Sequence, residues 1–121
     1  MTAPIEESVN RIKQTVNWFP GLLLGLERQC GKSRAILELV REKHSGDAFI
    51  FSPNQMLSRL MSNRYRDLYP KTVQPPCISD TKFVRGSMWP IYVDEWWMLQ
   101  RRMQEELMET GRVVCRLGTE K

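Results

Sequence analysis

Leu22-Leu23-Leu24-Gly25-Leu26-Glu27-Arg28-Gln29-Cys30-Gly31-Lys32-Ser33-Arg34-Ala35-Ile36 is the stretch on which the reading of this chain turns. Leu22 to Leu24 form a short apolar run of the kind a strand buried on both faces carries. Gly31 marks a turn. Behind it Ala35, Ile36, Leu39 and Val40 recur at helical spacing up to Lys43-His44-Ser45-Gly46, whose basic residues suit the carbonyl end of a helix. Strand, glycine turn and helix in that order are the setting of a phosphate-binding loop, with Gly31-Lys32-Ser33 at its tip. In such a loop the backbone N–H groups and the positive helix start surround phosphate, a lysine reaches the terminal phosphates and a serine hydroxyl binds magnesium. Glu27, Arg28, Gln29, Cys30, Gly31, Lys32, Ser33 and Arg34 are therefore the expected nucleotide-binding residues, a Walker A type of loop. Leu26 occupies the place of the first glycine in GxxxxGK[ST], so the bare pattern is incomplete, and on its own the segment also reads as a chance Gly-Lys-Ser opening a helix.

Working outward, Pro90-Ile91-Tyr92-Val93-Asp94-Glu95 presents a second apolar strand whose carboxyl end carries two adjacent carboxylates. Ligands of open parallel sheets bind at that end. An aspartate there can hold magnesium, and a neighbouring glutamate can polarise the attacking water for displacement at a terminal phosphate. Asp94 with Ser33 is thus the expected metal pair, and Glu95 the expected catalytic carboxylate of a Walker B type of strand. An ordinary Asp-Glu helix start favoured by the dipole is the plain alternative for such a pair standing alone.

The remaining segments supply layers. Ile5, Val9, Ile12 and Val16 are spaced 4, 3, 4, which predicts an amphipathic helix over Pro4 to Val16. Ala48 to Phe51 reads as a strand, and Ser52-Pro53-Asn54-Gln55 has the spacing of a capping box that opens a helix lasting to Tyr69-Pro70. Lys71 to Ser87 reads as loop with one short strand near Phe83-Val84. A helix through Trp96, Leu99, Met103 and Leu107, ended by Gly111, and a final strand Val113 to Cys115 complete the pattern. Strands alternating with helices imply an α/β fold, a mainly parallel sheet of about four strands covered on both faces, over residues 1–121 as one domain.

The composition excludes several classes. With 41% hydrophobic and 26% charged residues, 121 residues make one globular domain rather than a disordered or disulfide-scaffold chain. Cys30, Cys77 and Cys115 lie far apart, without a CxxC pair and with only His44 to join them, which argues against zinc. The start lacks the pattern of a secretory signal, so a cytoplasmic protein is expected. Apolar runs fall far short of the ~20 residues a membrane span requires. A net charge of +4 permits phosphate-bearing partners without the dense patch of a dedicated nucleic-acid binder.

Taken together, these residues resemble the ATPase domain of the large terminase subunit, the DNA-packaging motor of tailed phages. Several members of that family have a phosphate loop like Leu26 to Ser33, with Arg-Gln two residues before Gly-Lys and no first glycine. Its acidic motif commonly follows Val-Arg-Gly, here Val84-Arg85-Gly86. The resemblance runs from about Leu22 to Leu99, and related helicase-like ATPases share the lysine, the serine and the acidic pair. It implies a three-layer, RecA-like P-loop NTPase that binds ATP with Mg2+ and hydrolyses it. Residue by residue it implies Lys32 on the phosphates, Ser33 and Asp94 on magnesium, Glu95 as catalytic carboxylate and Arg28 near the terminal phosphate, where an arginine neutralises charge developing in the transition state. Arg85 is implied to brace the acidic strand or to meet the nucleotide. A chain ending at Lys121 is expected to lack the nuclease domain of a full terminase, and Gly118-Thr119 alone stands where these ATPases carry a small-hydroxyl motif coupling hydrolysis to movement. The implied partners are double-stranded DNA or another phage protein, with self-association as a way to complete the site, in the host cytoplasm. The alternatives are an idle nucleotide-binding adaptor and a DNA-binding module.

Other residues carry plainer readings. Trp96 and Trp97 are expected in the core, the seven methionines as core filler, and His44 as a cation at a helix end. Trp18 and Phe19 are candidates to hold a base, and Arg59, Arg64 and Arg66 with Tyr65 and Tyr69 form a basic-aromatic cluster.

Overall fold

The computed structural model describes residues 3–27 and 30–119. Five strands, β1 (Leu23–Leu26), β2 (Phe49–Phe51), β3 (Cys77–Ile78), β4 (Ile91–Val93) and β5 (Val113–Thr119), alternate with helices α1 (Ala3–Trp18), α2 (Lys32–His44), α3 (Gln55–Leu68) and α4 (Arg101–Glu109). The sheet order is β1-β5-β4-β2-β3, every neighbouring pair is parallel, and helices flank it. Because side chains alternate along a strand, the sheet feeds two separate cores. Ile50, Tyr92, Cys115 and Leu117 join Val9, Ile12 and Val16 of α1, Ile36 and Val40 of α2, and Met61 and Tyr65 of α3 on one face. Phe49, Phe51, Ile91 and Val93 meet Val84, Trp96, Leu99 and Leu107 on the other. Ile36, Leu37 and Leu107 are wholly buried, each contributing about 1.5–3 kcal/mol.

Several boundaries differ from expectation for local reasons. α3 begins at Gln55 with Asn54, not Ser52, as its cap: the Asn54 Oδ1 accepts from the Leu57 N–H at 2.9 Å. Ser52 instead directly follows β2, fully buried, with its N–H on the Ile78 carbonyl. The sheet has five strands rather than four, and the short one is Cys77–Ile78, while Phe83-Val84 lies in a 3-10 turn, Thr81–Val84, capped by the Asp80 carboxylate. The helix expected through Trp96 is split into a 3-10 turn, Trp96–Met98, and α4, because Leu99 and Gln100 are extended between them. β5 runs on to Thr119, well past Cys115.

The same topology settles some plainer readings. His44 ends α2 with Nε2 2.8 Å from the Tyr92 hydroxyl, and burial, reinforced by Lys43, lowers its pKa, which weakens its charge at the helix end. The basic-aromatic cluster is dispersed: Tyr65 is core, Tyr69 lies edge-on against it under the Arg41 guanidinium, and Arg59 and Arg64 border different cavities. Trp18 is 78% exposed and Trp96 is core, whereas Trp97 is half-exposed. Burial pushes the Cys77 thiol up to about 11. Among the described residues no helix is long and apolar enough to cross a membrane.

Candidate functional site

The carboxyl ends of β1, β5 and β4 lie side by side, with β5 in the middle. The chain leaving β1 reaches α2 through Gly31, whose φ of +87° is left-handed and whose missing Cβ would stand 2.6 Å from Val9 Cγ2. Glycine is required there both by conformation and by the approach of α1. Gly31 caps α2 without a side-chain hydrogen bond, so among the described residues no side chain closes the positive start of the helix. Cys30, Gly31, Lys32, Ser33 and Arg34 line a cavity of about 280 Å3 over this turn, closed by Ile5 of α1 and Arg64 of α3.

Asp94 follows β4, its N–H on the Phe51 carbonyl at 2.9 Å. Glu95 then adopts φ 53°, a left-handed conformation that costs a non-glycine residue about 1–2 kcal/mol. Its carboxylate meets residues of two other strand ends: Lys32 Nζ lies 3.1 Å from Glu95 Oε1, and the Thr119 hydroxyl donates to the same oxygen at 2.7 Å. One position earlier, Ser33 Oγ donates to Asp94 Oδ2 at 3.3 Å. The Gly-Lys-Ser turn and the Asp-Glu pair are thus joined residue for residue.

Asp94 is 6% exposed, and its Oδ1 is buried without a hydrogen-bond partner among the described residues. Burial pushes its carboxyl up to about 6, the Glu95 charge adding to this while Lys32 and the Ser33 hydroxyl oppose it. Ser52 Oγ is also buried and unpartnered among the described residues. Phe51 and Val93 are in register, so the residues that follow them, Ser52 and Asp94, stand at adjacent strand ends. Orphaned oxygens of this kind suit a cation or ordered water. Among the described residues no cluster of three or more His, Cys, Asp or Glu side chains forms a protein-only metal cage. One carboxylate and one hydroxyl match magnesium, which keeps waters and takes its other oxygens from phosphates.

Of the residues expected in the site, Cys30, Gly31, Lys32, Ser33, Arg34, Asp94 and Glu95 converge. Arg34 does so with its guanidinium committed to Glu38 at 2.9 Å. Glu27 is exposed beyond β1, and Arg28 and Gln29 lie outside the described residues. Arg85 does not border the cavity over Gly31-Lys32-Ser33: it lines another with Thr81, Val84 and Glu106, where the Thr81 hydrogen bond first, then Arg102 and last the Arg85 charge hold Glu106 below the usual carboxylate range. Trp18 and Phe19 precede β1, at the opposite end of that strand from the loop.

The tertiary structure brings four further residues to the site, of which the sequence points to Gly118 and Thr119 as the place of a hydroxyl motif and to Arg64 only as part of a basic-aromatic cluster. Ile5 begins the apolar stripe of α1 but stays 43% exposed because it walls the loop cavity. Gly118 lets the Trp97 ring lie on the end of β5, where a Cβ would stand 2.3 Å from Trp97 Cε3. Thr119 touches Glu95 because β5 is long enough to reach it. Arg64 shares with Ser33, Asp94, Leu57, Leu60 and Met61 a small cleft of about 90 Å3. The signal for Arg64 was the spacing 57, 60, 61, 64, one face of α3. Comparison with family models, curated proteins and solved structures finds no match for this chain.

Proposed function

We propose that the chain is a P-loop ATPase that binds Mg-ATP at the carboxyl edge of the sheet and hydrolyses it. The observation that carries this reading is the double junction of Lys32 with Glu95 and Ser33 with Asp94, between segments far apart in sequence. The strand order supports a RecA-like three-layer class, since one strand, β5, separates the loop strand from the acidic strand and ends in a hydroxyl, Thr119. The open start of α2 and Lys32 attract the phosphates, and Ser33 with Asp94 would hold magnesium. Magnesium neutralises phosphate charge. Lys32 exchanges Glu95 for phosphate, which frees the glutamate to orient a water. That water attacks the terminal phosphorus as the bond to the bridging oxygen breaks, leaving ADP and inorganic phosphate, while Glu95 takes up the water's proton.

Calorimetry with Mg-ATP tests this: wild type binds, and Lys32→Ala loses most of the binding. Equal affinity in both proteins rules the loop out. A second reading, an adaptor that binds nucleotide without turnover, draws on the engagement of Glu95 Oε1 by both Lys32 and Thr119. Phosphate release assayed with and without double-stranded DNA, across protein concentrations, separates the two, because partner activation or self-association would release Glu95.

A further inference from the structure

Three cations stand around the loop cavity, and they differ in what holds them. Lys32 is paired with Glu95, and Arg34 with Glu38. Arg64 makes no ion pair or side-chain hydrogen bond among the described residues, and the Glu38 carboxylate that holds Arg34 is shared with Lys13, at 3.1 Å. An anion entering the cavity therefore meets one guanidinium that need break no existing pair. The position of Arg64 is also specific. It borders both the 280 Å3 cavity over Gly31-Lys32-Ser33 and the 90 Å3 cleft that contains Asp94 and its unpartnered Oδ1. Ser33 is common to both spaces. A phosphate chain cradled on the α2 start and directed towards Asp94 ends beside Arg64, its earlier phosphates lying nearer the loop. Leu57, Leu60 and Met61, on the same face of α3, supply an apolar floor that weakens competition from water and strengthens a charge-assisted contact.

We propose that Arg64 binds the terminal phosphate of the nucleotide and is the residue by which this site tells a triphosphate from a diphosphate. The inference rests on the Mg-nucleotide reading above. A guanidinium is suited to the task because its planar fork donates two parallel hydrogen bonds to one phosphate. Its loss removes a contact that a diphosphate never makes.

The test is calorimetry of wild type, Arg64→Gln, Arg64→Lys and Lys32→Ala with Mg-ADP and with the Mg complex of a nonhydrolysable ATP analogue. Arg64 is exposed on α3 and glutamine is a good helix former, so an unchanged melting temperature without nucleotide is expected. The proposal requires Arg64→Gln to weaken the triphosphate analogue by roughly tenfold to a hundredfold, the scale of one charge-assisted contact, with Mg-ADP affinity held within about twofold. Arg64→Lys, which keeps the charge and loses the fork, should fall between. If Lys32→Ala loses both ligands while Arg64→Gln matches wild type on both, or weakens both equally, the nucleotide site stands and the role of Arg64 is overturned. If wild type binds neither ligand, the site and the role fall together.

Discussion

Two helices begin on the same side of this molecule, just past the carboxyl ends of β1 and β2, and they begin differently. α3 is closed by its own chain, with Asn54 extended and its side chain on the Leu57 N–H. α2 opens from a left-handed glycine with no side-chain cap, under a cavity bordered by cations. The start of a helix leaves backbone donors without partners. Where the chain satisfies them itself, as at α3, the gain is stability. At α2 no side chain among the described residues closes them, and the neighbouring strand ends carry costs of their own: an Asp94 Oδ1 unpartnered among the described residues, a left-handed Glu95 and a Lys32–Glu95 pair that is mostly buried.

The contrast is broken most sharply at Glu95. If the open start of α2 serves chemistry, Glu95→Gln should keep ATP bound and lower phosphate release by a hundredfold or more, the ordinary scale of a general base. Equal release from both proteins would reduce α2 to a binding element.

Asp94 comes next and tests whether the open site is maintained against stability. Its pKa of about 6 in the folded chain exceeds the ordinary 3.8, so the folded state binds the extra proton between those values. Stability therefore falls as pH rises from about 4 to 6 and stays lowered above. Asp94→Asn should melt like wild type below about pH 4 and gain up to about 3 kcal/mol at neutral pH, two pKa units at ~1.4 kcal/mol each. Added magnesium and nucleotide should stabilise wild type and not the variant. A variant less stable than wild type at pH 7 would show that the Ser33 hydrogen bond outweighs desolvation.

The smallest effects compare the two starts directly. Gly31→Ala forces a Cβ into a left-handed position against Val9 and should cost about 1–2 kcal/mol in denaturant unfolding, with weakened nucleotide binding. Asn54→Ala removes only a cap and should cost about 1 kcal/mol, leaving nucleotide affinity unchanged. Nucleotide binding that falls equally in both variants would mean that the difference between the helix starts has no functional content.

Local pattern made much of this legible. Ile91 to Val93 announce a buried strand because a strand covered on both faces must be apolar throughout, and the helical spacing from Ala35 to Val40 marks the buried face of α2, whereas Leu22 to Leu24 locate β1 only in part: Leu22 is exposed ahead of a strand that runs Leu23–Leu26 half-buried. Gly31-Lys32-Ser33 and Asp94-Glu95 could be picked out because each is short, chemically distinctive and set at a strand end. Ser52 misled, since a hydroxyl three residues before a glutamine has the same pattern whether it caps a helix or follows a strand; burial at the end of β2 decided for the second. The single helix expected after Asp94 failed for a similar reason, because apolar spacing persists across the break at Leu99 and Gln100.

What the sequence determined by itself was therefore the alternation of the main strands and helices and the chemical types at the strand ends, both properties of neighbouring residues, while β3 and the two 3-10 turns escaped it. Only the tertiary structure decided which ends become adjacent. By inserting β5 between β1 and β4 it sets Lys32 on Glu95 and adds Thr119, and by laying α1 and α3 against the loop it brings Ile5 and Arg64 to the cavity. Those juxtapositions arise from sheet order and helix packing over long chain separations, where burial of whole faces, not local propensity, selects the arrangement.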